Sequence, residues 1–319
     1  MFGNYTISRC RNSEGIFNVL ANDKFIGDAL RQGQLWEPHI NNFLKRMISE
    51  DKVAVNIGSH IGSHAITLTR GSKKTYIFEP QPMIYWLMTH NLFDNNLHNK
   101  AETFNAAVGH ISGINVTMTN TEPWSQGNVS YNTNQSTNYG AIKIGNGEIS
   151  VPMMRLDDLN IEDPISVILV DVEGAEPMVF WGARETIKRH RPILIFERNS
   201  WVITEDMKRI CSVPEEVVNF KIEDYVANMD YSPMFIYGEE CILIPKPEKT
   251  MEVAKNYSNG FSYQNDKFSH PHRKDIRSVW INENTMIVVF SDFNIVFTCQ
   301  VLPNKSILWS NGDLWIPAE

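Results

Sequence analysis

No apolar run in this sequence approaches the ~18 residues that a membrane-spanning helix needs, so no membrane segment is expected. Cysteine is scarce. The four present, Cys10, Cys211, Cys241 and Cys299, are spread over 319 residues. No two stand at a C-x-x-C spacing, which removes the common zinc and redox motifs. So few, so far apart, do not make a disulfide scaffold, and free, mostly buried thiols in a reducing compartment are expected. Positive charge is also in deficit: 29 Lys and Arg stand against 37 Asp and Glu, for a formal net charge of -8. Nucleic acid and anionic membranes call for a local basic surplus, and neither partner is expected. The opening MFGNYTISRC lacks the charged-then-apolar order of a secretory signal. A cytoplasmic protein is the expectation. No internal repeat is visible.

What is abundant is apolar material, 42% of the residues, enough for a sizeable core in one large domain or two ordinary ones. Short apolar runs at 52–57, 75–79, 101–107, 165–171 and 192–197 alternate with helix-period segments at 63–70, 83–95 and 175–191. Buried parallel strands read as continuous runs of this kind. Their alternation with helices implies a doubly wound α/β sheet. A helix at 37–49 precedes the first strand. The stretch 120–147, rich in Asn, Ser, Thr and Gly, breaks the pattern. A loop of that length is functional or disordered.

Beyond the fifth strand, 234–244 reads as a hairpin. The expected domain occupies 1–247, followed by a polar linker at 248–275 and a β-rich appendage at 276–319. The appendage holds four short runs, SVWI, TMIVVF, NIVFTCQVL and SILW, separated by turn-forming residues. Its load of Trp and Phe must be covered by the domain or by a second copy of the chain, and a homodimer is expected.

The first strand ends in Asn56-Ile57-Gly58-Ser59-His60-Ile61-Gly62. A glycine turn between strand and helix lets a ligand approach the backbone, and the helix N-terminus offers free N–H groups to an anion. Glu79 ends the second strand, where an acid can accept both ribose hydroxyls of an adenosine ligand. These two features leave S-adenosylmethionine and NAD both open. The turn leans toward the first: its glycines are spaced G-x-x-x-G around bulky His60, whereas a pyrophosphate usually packs on G-x-G-x-x-G.

Seven segments, in this order and spacing, resemble the FkbM family of methyltransferases. They are VAVNIGSHIGSHAI (53–66), YIFEPQP (76–82), the asparagines Asn91 and Asn96, FNAAVG (104–109), RLDDL (155–159), ILVDVEGAEPMVFWGA (168–183) and RPILIFE (191–197). The resemblance covers about residues 35 to 245. It implies a class I methyltransferase fold, Rossmann-like with a mostly parallel seven-stranded sheet. It also implies S-adenosylmethionine as methyl donor and a hydroxyl of a sugar or natural product as acceptor. Gly58, Ser59, His60 and Gly62 would line the methionine end, Glu79 the ribose, and Asn105 and Ala106 the adenine. Two positions depart from the family pattern. Asn56 stands where Asp is usual, so it can orient the methionine amino group but brings no charge. Leu169 stands where Lys is common.

A hydroxyl must lose its proton to attack, so a positioned base is sought. Asp171, at the end of the fourth strand, is the first candidate, followed by Glu173, Glu197 and His60, with His64 as a further alternative. Glu173 and Glu176 also read as helix N-terminal acids stabilised by the macrodipole. Asp171 and Glu197 could bind Mg²⁺ through oxygen, though no spacing demands a metal. Asp157 and Asp158 read as residues that end a strand or cap a helix. The resemblance implies that Trp36 and Glu37 border the donor or acceptor site; read by itself, Glu37 is equally an ordinary N-terminal helix acid. Trp124, Tyr131 and Tyr139 suit stacking on a sugar ring or packing as a lid. His270 and His272 read as solvated. Two rival functions stand beside the methyltransferase: an NAD-dependent oxidoreductase, and a catalytically inactive donor-binding module.

Overall fold

A computed structural model describes residues 6–119, 137–197, 202–232, 234–237, 239–247, 257, 261–264, 267–270, 276–290, 295–311, 313–315 and 317. The chain divides into two units, Met1–Ile222 and Glu223–Glu319. The first opens with an antiparallel hairpin of β1 (Ile7–Asn12) and β2 (Gly15–Leu20), then helices α1 (Ile26–Arg31) and α2 (Pro38–Met47). The alternating part follows as β3 (Val53–Ile57), α3 (Ser63–Gly71), β4 (Lys74–Phe78), α4 (Pro82–Asp94) and β5 (Ala101–Phe104). Three short strands come next, β6 (Ala107–Val108), β7 (Ile114–Met118) and β8 (Ile149–Met154). The unit returns to alternation with β9 (Ile165–Val170), α5 (Glu176–Gly182), α6 (Arg184–His190) and β10 (Ile193–Glu197), and ends in α7 (Glu205–Cys211) and α8 (Glu215–Val218).

Five strands of the first unit pair in parallel in the order β10-β9-β3-β4-β5. Every residue of β3 and β9 is buried, as continuous apolar runs in a sheet covered on both faces should be. From β3 the chain proceeds outward to β4 and β5; from β9 it proceeds the other way to β10. The strand order therefore reverses between β3 and β9, and a crevice opens at their carboxyl ends. The core beside them draws Ile66 and Ala65 from α3, Ile77 from β4, and Ile84, Leu87 and Met88 from α4. These five strands are those expected from the apolar runs. The hairpin expected at 234–244 falls in the second unit.

Two expectations are corrected within this unit. The run 101–107 is not one strand. The chain leaves the parallel sheet after Phe104, and Ala107 and Val108 pair with Met153 and Met154 in a separate sheet ordered β6-β8-β7. The segment 175–191 is two helices, broken at Ala183 (φ -114, ψ 6). The cause is next door: a Cβ on Gly182 would lie 1.9 Å from the carbonyl oxygen of Gly109, so the chain is pinned there by backbone contact. Helix α6 stops at Arg191 in left-handed conformation, ahead of Pro192.

The second unit holds a hairpin of β11 (Phe235–Tyr237) and β12 (Glu240–Leu243), and a pair of β13 (Ser262–Gln264) and β14 (Lys267–Ser269). An antiparallel meander follows: β15 (Ile276–Trp280), β16 (Thr285–Phe290), β17 (Ile295–Val301), β18 (Ile307–Trp309) and β19 (Leu314–Trp315). The appendage strands are thus five, and they share a hydrophobic cluster with residues from the expected linker. Tyr257, Phe261 and Phe268 pack with Trp280, Phe290 and Trp309. No helix among the described residues is long and apolar enough to cross a membrane.

Phe268 is almost fully buried and touches the rings of Tyr263 and Trp315, with centroids 4.9 Å and 5.8 Å away. Phe268→Ala should destabilise the second unit by ~3–5 kcal/mol, the cost of emptying a buried phenyl site. Calorimetry should show one lowered transition. An unchanged melting profile would return residues 248–275 to the status of a linker.

Candidate active site

The turn after β3 is built on backbone. Gly58 takes φ +79, and both its N–H and that of Ser59 donate to the carbonyl of Phe78, each at 3.0 Å. The N–H of Asp171 donates to the Ile57 carbonyl at 2.9 Å. A Cβ on Gly58 would stand 1.7 Å from the carbonyl oxygen of Asp171, so no side chain fits between the two strand ends. Gly62, at φ +90, starts α3, and its carbonyl receives the first helix bond, from Ile66. The amides of the first turn ahead of that bond have no partner within the helix.

Glu79 follows β4 and is 3% exposed. Its Oε2 accepts the His60 N–H at 2.8 Å and its Oε1 the Gln81 N–H at 2.9 Å. Burial pushes this carboxyl up to about 7, against the two N–H bonds that favour its charge. Asn105, just past β5, donates through Nδ2 to the carbonyls of Glu79 and Pro80, both at 2.9 Å. Ala106 beside it is buried. Strand ends β3, β4 and β5 thereby gather the expected donor residues in one place.

Two side chains at this turn have polar atoms without a hydrogen-bond partner. Asn56, 1% exposed, leaves Oδ1 unpaired, and His60, 8% exposed and in left-handed conformation (φ 49), leaves both ring nitrogens unpaired. Burial pushes the imidazole down to about 4, so it is neutral and a weak base at pH 7. A bare glycine turn, free first-turn amides and orphaned buried acceptors fit a ligand with an ammonium and a carboxylate, the amino-acid end of S-adenosylmethionine.

Acids collect on the far side of the crevice. Asp171, Glu173 and Glu197 offer oxygens within 4.8 Å of one another. Asp171 keeps solvent exposure, although protein packed around its carboxyl desolvates it. Burial raises its carboxyl well above the ordinary value, and the charges of Glu173, Glu197, Glu37 and Glu176 add to the rise. Glu173, at φ 57, is raised to about 7 by burial and then by Glu197 and Glu176, with Lys143 acting the other way. Glu173 thus stands outside any helix. Glu176 opens α5 and accepts the N–H groups of Val172 and Gly174, both at 3.1 Å. Three carboxylates at this spacing could bridge a divalent cation, and such groups also occur without one.

Sequence reasoning did not pair Glu37 with His64, which lie 2.8 Å apart from Oε2 to Nε2 across α2 and α3. Asp157 caps α6, accepting the backbone N–H of Thr186 at 2.9 Å and its hydroxyl at 2.8 Å. Tyr139 is wholly buried; its hydroxyl accepts from Asn22 at 2.9 Å and its carbonyl from Gln81 at 3.0 Å. It packs in the core instead of offering a stacking face. Trp124, Tyr131 and His272 lie outside the described residues, and His270 is half-buried against Phe261 in the second unit.

A family model described as the Methyltransferase FkbM domain matches residues 56–232. Among solved structures, the chain is similar to the methyltransferase FkbM from Methylobacillus flagellatus, at 16% identity and TM-score 0.39, over 61% of this chain and 44% of that one. The chain therefore spans less than half the length of that protein. It is similar to an rRNA methylase from Streptococcus thermophilus, at 12% identity and TM-score 0.33, over 64% of this chain and 92% of that one. It is also similar to an O-methyltransferase from Bacillus cereus, at 14% identity and TM-score 0.35, over 65% and 80%. No curated protein matches the sequence.

A carboxylate accepts ribose hydroxyls best when ionised, and the carboxyl of Glu79, the expected ribose ligand, is raised to about 7. Protonation below that pH removes acceptor capacity. Affinity for S-adenosylhomocysteine should therefore fall as pH drops below 7, by up to ~10-fold per unit. Glu79→Ala should bind ~1.5–3 kcal/mol more weakly at pH 8 and show a shallower pH slope. Calorimetry across pH 5.5–8 measures both, and an affinity indifferent to pH and to the mutation would remove Glu79 from the ribose role.

Proposed function

This chain belongs to the FkbM methyltransferase family, and on that premise we propose that it carries a methyl group from S-adenosylmethionine to a hydroxyl oxygen. The acceptor is a sugar hydroxyl in a glycan or a glycosylated metabolite, a substrate class supported by family likeness. The observation that carries the reaction type is the carboxylate group of Asp171, Glu173 and Glu197 at the strand ends. An alkyl hydroxyl is a poor nucleophile until its proton is taken, and a base works best with a pKa near the operating pH. Burial and neighbouring carboxylates raise Asp171 well above the ordinary carboxyl value and bring Glu173 to about 7.

When bound, the donor supplies a methyl group made electrophilic by a sulfonium. The residues do the rest. The Gly58–Gly62 turn and the start of α3 hold the methionine end, Glu79 the ribose, and Asn105 and Ala106 the adenine. Most of the acceleration comes from alignment of acceptor oxygen and methyl carbon. Asp171 takes the hydroxyl proton as the oxygen attacks, and Glu173 and Glu197 increase the proton affinity of the group. His60, neutral and buried, shapes the turn.

Asp171→Asn should keep affinity for S-adenosylhomocysteine and lower kcat by ~10²-fold or more, the scale of a lost general base. The wild-type rate should rise with pH through the titration of this carboxylate group, and the rise should flatten in the mutant. Normal turnover by the mutant would move the base to Glu173, Glu197 or His60. Radiolabelled methyl transfer to a panel of sugars and amines tests the acceptor class, and a product methylated on nitrogen would overturn it. If the three carboxylates instead hold a divalent cation, chelation should abolish activity and Mg²⁺ restore it.

A further inference from the structure

The segment 137–146 is fastened along its whole length. The Thr137 N–H donates to the Asn22 carbonyl and its carbonyl accepts the Lys24 N–H, both at 2.9 Å. The Tyr139 carbonyl accepts from Gln81, two residues past Glu79. Further on, the Lys143 carbonyl accepts the Thr119 N–H at 2.8 Å, and the Lys143 N–H donates to the Thr119 hydroxyl at 3.3 Å. The Gly145 N–H donates to the Thr117 carbonyl at 2.9 Å. Asn146 Oδ1 accepts from Arg209 of α7. Gln81 lies just beyond β4, and α7 is the first helix after β10. These anchors therefore stand on opposite sides of the point where the strand order reverses. The segment runs from one side of the crevice to the other, and Lys143 falls between the anchors.

Lys143 is the residue of this stretch that stays out of the core. Ala141, Ile142 and Ile144 around it are buried, whereas Lys143 is half-buried. Its charge reaches Glu173, and it is the one cation among the charges that act on Asp171 and Glu173; the others are carboxylates. Among the described residues its ammonium has no hydrogen bond or ion pair. A cation that served only to neutralise Glu173 would gain most by closing onto it, because attraction grows as separation shrinks. Lys143 stands off instead, on a fixed backbone.

An acceptor in this crevice meets several carboxylates and one ammonium. A neutral sugar gains no orientation from that asymmetry. An acidic sugar is sorted by it: the carboxylates repel its anionic group, Lys143 attracts it, and the register is set. We propose that Lys143 binds an anionic group on the acceptor, so that the methylated sugar carries a carboxylate or a phosphate. This rests on the sugar-hydroxyl reading above. Lysine suits either anion, since an ammonium binds as a point charge without the fork geometry of a guanidinium. With the anion held at Lys143, a hydroxyl elsewhere on the ring is turned toward Asp171.

The test measures kcat/KM for the full chain with S-adenosylmethionine and matched sets of methyl hexosides, each as the neutral sugar, the uronic acid and the 6-phosphate. One acidic form should exceed its neutral counterpart by ~10-fold or more, the scale of a hydrogen bond to a charged group, and the two acidic arms identify the anion. Lys143→Met should lower that acidic-to-neutral ratio by ~10-fold or more, chiefly through KM of the acidic sugar. Lys143→Arg should keep it. An effect passed through Glu173 alone falls on all acceptors alike and cancels in the ratio. Retained S-adenosylhomocysteine affinity shows that each variant is folded. Equal use of neutral and acidic sugars by the wild type, or a ratio that survives Lys143→Met, overturns the proposal. A wild type that methylates no sugar in any form overturns the sugar reading itself, and the proposal with it.

Discussion

The site depends on a contact that contains no side chain. Two neighbouring parallel strands, β3 and β9, end together where the strand order reverses, and their next residues meet backbone to backbone. The Asp171 N–H bonds to the Ile57 carbonyl, and the Asp171 carbonyl oxygen occupies the space a Cβ of Gly58 would need. Any larger residue at Gly58 would force the strand ends apart, because the obstruction is backbone and cannot rotate away. The glycine turn and the acidic loop are therefore held at a fixed separation. In the proposed reaction, that separation keeps donor and base side by side.

Three residues beside the crevice hold strained backbone. Glu37, His60 and Glu173 all carry positive φ, at a cost of roughly 1–2 kcal/mol each. Each is offset locally: Glu37 by His64 and Asn41, His60 by the bond from its N–H to Glu79, and Glu173 by the clamp that Glu176 places on Val172 and Gly174. The turns flanking the crevice are thus fixed before any ligand arrives. A site that relies on alignment for most of its rate needs that rigidity.

The parts legible in the sequence are those set by local pattern. β3 and β9 are buried on both faces, so they are written as unbroken apolar runs, and Gly58, Glu79 and Asp171 could be placed at strand ends. The misread parts were decided by distant contacts. The 101–107 run leaves its sheet at Asn105, whose amide turns back to the carbonyls of Glu79 and Pro80. The 175–191 helix breaks where Gly182 meets Gly109, and neither partner marks the other in sequence. The Glu37–His64 bond joins the residue before α2 to the second residue of α3, with a helix, a strand and a turn between them. His60 drew attention as a base by its type alone; burial without a partner is what makes it a poor one. Residues 262–269 looked like linker because their strands are three residues long and carry few apolar residues.

The acids of the site divide by what their oxygens touch. Glu79 and Glu176 use one device: a carboxylate with each oxygen accepting a backbone N–H of a turn that follows a parallel strand. Glu79 binds His60 and Gln81, beyond β3 and β4; Glu176 binds Val172 and Gly174, beyond β9. Both are almost fully buried. Bonds of that kind hold a carboxylate in place; at Glu79 they favour its charge, but burial outweighs them. Asp171 and Glu173 are raised by burial as Glu79 is, and differ in that the charge of neighbouring carboxylates adds to the rise, opposed at Glu173 by Lys143. Repulsion that a backbone does not quench is relieved by taking up a proton. The same crowding that would be wasteful in a structural role is what equips Asp171 and Glu173 to accept one.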